Sequence, residues 1–164
     1  MTEFESIYRQ YFDDVYRYIR RLSGDGQLAE EITSETFFKA MGALDRFRGD
    51  CDIRVWLCQI AKNCYYTHCQ KASRTGSLEE LSPPAVADSP DERLLDREEA
   101  DRIRQILHRL PETYREVFMW RVYAELSFQQ IGGLFGKSAN WACVTYHRAR
   151  KMILERLEAE EDER

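Results

Sequence analysis

Apolar positions along the chain recur at intervals of three and four residues, and the alternation expected of strands is nearly absent. The first such stripe is Phe4, Ile7, Tyr8, Tyr11, Phe12, Val15, Tyr18, Ile19 and Leu22, and it stops at Ser23-Gly24-Asp25-Gly26. Thr2 and Glu5 precede it at capping-box spacing, so the pattern predicts one long amphipathic helix. A second helix is predicted from about Gln27 to Leu44, with Leu28, Ile32, Phe38 and Met41 on its apolar stripe and Glu30, Glu31, Glu35 and Lys39 outside it. A third follows the loop Phe47-Arg48-Gly49-Asp50-Cys51-Asp52, carries Trp56, Leu57, Ile60, Ala61 and Cys64, and ends near Lys71. Together the three make a unit of roughly 70 residues, near the lower limit for independent folding.

Residues 74–90 hold Pro83, Pro84 and Pro90, are acidic and show no sustained apolar period, which predicts a flexible linker. Ser89, Pro90 and Glu92 then supply an N-cap, a first-turn proline and a capping-box partner for a fourth helix. Its apolar side is Leu94, Leu95, Ile103, Ile106, Leu107 and Leu110. Pro111 separates it from a fifth helix running to about Tyr123. The expected fold is therefore all-α: a helical domain over residues 1–73, an acidic linker over 74–90 and a second helical domain over 91–164.

Within the second domain, Ser127 and Gln130 form another capping pair, a short helix turns Ile131 and Leu134 inward, Gly136 offers a positive-φ turn and Ser138 caps a long final helix. This is the pattern of a helix-turn-helix, which delivers the start of its second helix into a major groove while later basic residues, here Arg148, Arg150 and Lys151, reach phosphates. A helical hairpin with a charged solvated face has the same periodicity, and charge helps to separate the two.

The net charge of −5 argues by itself against nucleic acid, yet the sign alternates along the chain. Residues 46–75 carry 6 basic and 2 acidic groups, 76–101 carry 2 and 9, and 137–154 carry 4 basic and no acidic ones. Local positive charge suffices where a phosphate backbone lies. The first basic block also interleaves Phe47, Arg48, Trp56, Lys62, Asn63, Tyr65, Tyr66 and Thr67, a mixture suited to unpaired bases that stack on rings and are read by amides. Trp56, between Val55 and Leu57, is expected in the core, whereas three successive positions Tyr65, Tyr66 and Thr67 cannot all be buried on one stripe.

With these segments in order, the chain resembles the extracytoplasmic-function sigma factors of bacterial RNA polymerase. Residues 29–40, Phe47-Arg48-Gly49-Asp50 and residues 56–63 are similar to the promoter-melting domain of that family. Residues 110–118, 126–136 and Tyr146-His147-Arg148-Ala149-Arg150-Lys151 are similar to its second domain. The resemblance implies a specificity subunit that binds core RNA polymerase, reads the minus-ten element as single-stranded non-template DNA, reads the minus-thirty-five element as duplex, and is held by an anti-sigma factor. Carried over by position, it assigns Glu31, Glu35, Phe38, Lys39 and Asp45 to polymerase docking. It assigns Phe47, Arg48, Asn63 and Thr67 to minus-ten capture, with Lys62 and Tyr66 added from the basic block. The minus-thirty-five set is Ser138, Asn140, Trp141, Cys143, Val144, His147, Arg148 and Lys151. Trp141 to Thr145 departs from the small, basic or polar residues usual there, because Cys143 and Val144 cannot make the bidentate guanine contacts of Arg. Either apolar contacts to thymine methyls take over, or the Trp141 ring repositions the helix.

A stand-alone helix-turn-helix regulator with an N-terminal sensor or dimerisation domain is the alternative; two different basic blocks and an acidic helix face favour the sigma factor. The five cysteines, Cys51, Cys58, Cys64, Cys69 and Cys143, are odd in number, contain no C-x-x-C and are not spaced for one helical face, so a metal or redox sensor formed with His68 is disfavoured and reduced thiols are expected. No cofactor, no metal and no enzymatic chemistry are expected, since nucleophile and glycine-rich phosphate motifs are missing. The first residues lack a basic start and apolar run, and no stretch approaches a membrane span, so a cytoplasmic protein is expected.

Overall fold

The computed structural model describes residues 2–47, 49, 52–75 and 92–163. Its regular elements are all helical: α1 Glu3–Ser23, α2 Gly26–Ala43, a 3-10 turn at Leu44–Arg46, α3 Ile53–Thr75, α4 Glu92–Arg109, α5 Glu112–Val122, α6 Phe128–Phe135 and α7 Ala139–Asp162. The chain divides into two compact units, Met1–Pro84 and Ala85–Arg164. The expected linker, apart from its first two residues, and the Ser89-Pro90 cap lie outside the described residues.

In the first unit α1 starts as expected, with the Thr2 side chain accepting from the Glu5 N–H and the Glu5 carboxylate accepting from the Thr2 N–H. It ends at Gly24, whose φ of 72° is a left-handed conformation that glycine adopts without steric cost. Asp25 starts α2 at once, its carboxylate accepting from Gln27 and Leu28. The chain therefore reverses in two residues and lays α2 against α1, with Val15, Tyr18, Ile19 and Leu22 buried on one side and Leu28, Ala29, Ile32 and Phe37 on the other. Thr33 and Thr36 are fully buried, each satisfied by donating to the carbonyl four residues back, Ala29 at 2.6 Å and Ile32 at 2.7 Å. Asp52 accepts from the Arg54 N–H at the start of α3, which closes the unit with Val55, Leu57, Cys58, Ala61, Cys64 and Tyr65.

Three expectations need correction here. Phe38 and Met41 do not share a stripe with Leu28 and Ile32; they are 72% and 53% exposed, because the buried arc of α2 runs through Ala29, Thr33, Thr36, Phe37 and Ala40. Hydropathy misassigned the arc, since two threonines sit where apolar residues were sought. The third helix continues to Thr75, beyond Lys71. Trp56 is half-buried, and its ring lies against Phe47 with centroids 4.8 Å apart.

In the second unit α5 buries four successive residues, Val117, Phe118, Met119 and Trp120, so its middle turn is enclosed on all sides, while Glu112, Thr113 and Val122 at its ends are exposed. The α5–α6 turn passes through Glu125 at φ 58° and is held by Arg121, which donates to the Leu126 carbonyl at 3.0 Å and places its guanidinium 4.2 Å from the Phe128 ring centre. α6 begins with the expected reciprocal Ser127/Gln130 cap and ends at Gly136, φ 65°. Ser138 then caps α7 by accepting from the Trp141 N–H.

The α6 backbone approaches the turn before α7 closely at Gly132. A Cβ on Gly132 would stand 2.6 Å from the Ser138 carbonyl oxygen and 2.8 Å from that of Lys137, whereas one on Gly133 would meet nothing within 4 Å. Gly132→Ala is expected to cost about 1–3 kcal/mol through forced backbone displacement. Gly133→Ala should be neutral or stabilising by up to about 1 kcal/mol through helix propensity. Hydrogen exchange of the α6 and α7 amides measures both, and equal effects at the two positions would contradict the tight contact.

Cys58 is enclosed between the helices of the first unit, and that burial pushes its thiol up to about 12, with Arg54 opposing and Asp14 and Asp52 adding. A folded-state value above the ordinary 9.0 favours the neutral thiol in the folded chain. The resulting stability is fully present below pH 9 and is lost as pH rises from about 9 towards 12, at up to 1.4 kcal/mol per pH unit. Native protein at pH 8 is expected to resist alkylation at Cys58 while half-buried Cys143 reacts, as mass spectrometry of labelled peptides will show.

Candidate promoter and polymerase surfaces

Three solvent-facing strips follow from these helix arcs. On α2 the side opposite the core carries Glu31, Glu35, Phe38 and Lys39, all exposed, and Asp45 continues it from the 3-10 turn. Glu35 and Lys39 form an ion pair of 3.3 Å one turn apart, which holds this part of the strip locally. Cys64 and then Glu35 raise the Lys39 ammonium above the usual lysine value. An acidic strip with a bare aromatic ring and Met41 beside it combines charge complementarity with an apolar contact, the composition of a protein-binding face.

On α3 the residues turned away from Leu57, Ala61, Cys64 and Tyr65 include Trp56, Asn63 and Thr67, spaced i, i+7 and i+11 so that they line up along the helix. Asn63 and Thr67 are exposed, and Lys62 and Tyr66 flank them half-buried. The Phe47 ring covers Trp56 at the beginning of this line. The run Tyr65-Tyr66-Thr67 is thus resolved by helix geometry: Tyr65 is buried, Tyr66 is intermediate with its ring 5.7 Å from Tyr65, and Thr67 is in solvent. Arg48 lies outside the described residues. The outward line offers an amide and a hydroxyl, and the rings beside it are packed against protein on one face.

On α7 the buried residues Ala142, Thr145, Ala149 and Ile153 fix the helix rotation. Ser138, Asn140, Val144, His147, Arg148 and Lys151 are exposed, while Cys143 and Trp141 are half-buried. The Trp141 ring is spent on Phe135 of α6, 5.3 Å away, so it braces the helix against the turn rather than projecting from it. His147 is flanked by Phe128 and Tyr146, with ring centres 6.5 and 5.2 Å distant. The capped N-terminus of α7 adds the partial positive charge of its free N–H groups.

Sequence reasoning missed the Gly132 contact, the Arg121 clamp and the outward turn of Phe38 and Met41. The run Gly132-Gly133 was a signal for the first; for the others, only the packed arc discloses which neighbour faces out. Among the described residues no group of three His, Cys, Asp or Glu is placed to hold a metal ion, and Cys58, Cys64, Cys69 and Cys143 are free thiols. No helix among them is long and apolar enough to cross a membrane.

Two family models match the chain. The sigma-70 region 2 model matches residues 7–75, and the sigma-70 region 4 model matches residues 100–153. The chain is 31% identical to the RNA polymerase sigma factor YlaC of Bacillus subtilis, over 89% of this chain and 87% of that protein. It is 27% identical to the extracytoplasmic-function sigma factor SigW of the same organism, over 94% and 88%. Its fold is similar to that of the sigma factor RpoE from Bartonella quintana, solved with the anti-sigma factor NepR, at a TM-score of 0.65 and 20% identity over 96% of this chain and 98% of that one. CnrH, solved with the cytosolic domain of CnrY, gives 0.64 and 21% over 95% and 88%. An all-helical chain with region 2 on its first unit and region 4 on its second belongs to the sigma-70 family, in the extracytoplasmic-function group of RNA polymerase sigma factors.

Proposed function

We propose that the three strips divide the work of an alternative sigma factor, with α2 holding core RNA polymerase, α3 and Phe47 capturing unpaired minus-ten bases, and α7 reading the minus-thirty-five duplex. The observation that carries this reading is the order of the two family matches on the two compact units. As a sigma factor the chain directs RNA polymerase to promoters. It contributes binding energy and no bond-making chemistry, and it works in the cytoplasm, where the polymerase is. The similar sigma factor RpoE is solved with an anti-sigma factor, and that pairing supports a partner of the same kind here.

Docking through α2 is attraction between exposed charges around an apolar contact. Reversal of Glu31, Glu35 and Lys39 keeps the ion pair between the last two in inverted order, so folding should change by no more than about 0.5 kcal/mol. Co-purification with core polymerase should nevertheless fall sharply, and retention equal to wild type would remove docking from this strip.

Opening and duplex binding should also separate. Asn63→Ala is expected to lose a hydrogen-bonded edge contact with an unpaired base, worth about 1 kcal/mol, and so to impair promoter opening. Arg148→Ala should weaken closed binding and lower its salt dependence, because a phosphate-neutralising charge is removed. A promoter already melted across the minus-ten element should rescue Asn63→Ala in part and Arg148→Ala hardly at all. A promoter fragment cut short so that no duplex lies upstream of the minus-ten region should make Arg148→Ala equal to wild type, whereas changing only the minus-thirty-five sequence should leave its defect in place, and the Asn63→Ala defect should persist in both, as run-off transcription will read.

A further inference from the structure

With Ala142, Thr145, Ala149 and Ile153 buried, a repeat of 3.6 residues per turn sets Asn140, Val144, His147 and Lys151 along the opposite side of α7, and all four are exposed. Asn140 and Val144 stand one turn apart at the N-terminal end, the part of a groove-reading helix that meets base edges. Between Ser138 and His147 the chain has no Lys or Arg, the residues that pair with guanine O6 and N7. Asn140 has instead the acceptor and donor pair that matches adenine N6 and N7. Val144, 40% exposed, offers a branched apolar surface of the kind that packs on the thymine C5-methyl group. Neither neighbour competes for these places, since Trp141 is held by Phe135 and Cys143 is half-buried on the flank.

The spacing adds a register. Four residues of helix separate Asn140 and Val144 by about 6 Å, against about 3.4 Å per base-pair step. We infer that Asn140 and Val144 set the minus-thirty-five specificity of this chain, selecting an adenine and, within about two base pairs of it, a thymine. This rests on the reading of the second unit as the duplex-binding half of a sigma factor. Arg148 and Lys151 further along the helix meet phosphates, which fix position and carry no sequence information.

The test is selection of duplex promoters, randomised across the minus-thirty-five element, by full-length chain assembled with core polymerase. Wild type should enrich the adenine and the nearby thymine. Asn140→Ala should reduce the adenine preference about tenfold while keeping the thymine preference. Replacing the selected thymine by deoxyuridine removes only the methyl group, so it should weaken wild-type binding about threefold and leave Val144→Ala unaffected. The deoxyuridine arm needs no altered protein, so it stands even if a variant folds poorly. Enrichment of guanine at the Asn140 register, indifference of wild type to deoxyuridine, or unchanged preference in Asn140→Ala would overturn the inference while leaving the sigma-factor reading intact. An assembled polymerase that selects no promoter from the library would overturn both.

Discussion

The second unit depends on one close approach, between the α6 backbone at Gly132 and the carbonyls of Lys137 and Ser138. At that separation no side chain fits, and the Lys137 N–H donates to the Gly132 carbonyl at 2.8 Å, so the turn is fastened by the same backbone it crowds. Gly136 supplies the positive φ that lets the chain reverse there, and Ser138 can then cap α7 directly. The position of every side chain on the exposed side of α7 follows from this geometry. Phe135 and Trp141 make a second brace across the same corner. Two contacts of different character, one backbone and polar and one aromatic, therefore hold one angle.

The first unit solves a different problem with similar means. A two-residue reversal at Gly24-Asp25 sets α2 against α1 so tightly that two threonines occupy core positions, each closing its hydroxyl on its own helix. Their burial rotates Phe38 and Met41 into solvent, where the charged strip of Glu31, Glu35 and Lys39 surrounds them. The same choice that satisfies the core thus creates the exposed apolar surface.

Helix positions, caps and the order of the two units were legible in the sequence because each rests on short-range rules. Thr2 with Glu5, Ser127 with Gln130, Gly136 and Ser138 all act within four residues of their partners. Rotation about a helix axis was less legible, as Phe38, Met41 and Trp56 illustrate. Which of two adjacent residues is buried depends on the neighbouring helix, and hydropathy ranks Phe above Thr without knowing where that neighbour lies. For the DNA-facing residues, type and spacing gave the candidates, but the division of α7 into an outward line and a braced flank needed the packed partner. Trp141 is the clearest example: sequence left it as either a reader or a ring that positions the helix, and its half-buried ring lies against Phe135.

α7 is a single helix of 24 residues, about 36 Å long, and under the proposed function it serves as core member and duplex reader at once. Ile153 is buried some three and a half turns beyond Asn140, on the same rigid rod. A packing change around Ile153 that turned the rod by a few degrees would carry Asn140 and Val144 sideways in the groove. Promoter choice and interior packing are therefore not independently heritable traits in such a chain. Under that reading, a substitution deep in the second unit, remote from any nucleotide, would shift which promoters are chosen, and such drift need leave no trace among the residues assigned to DNA.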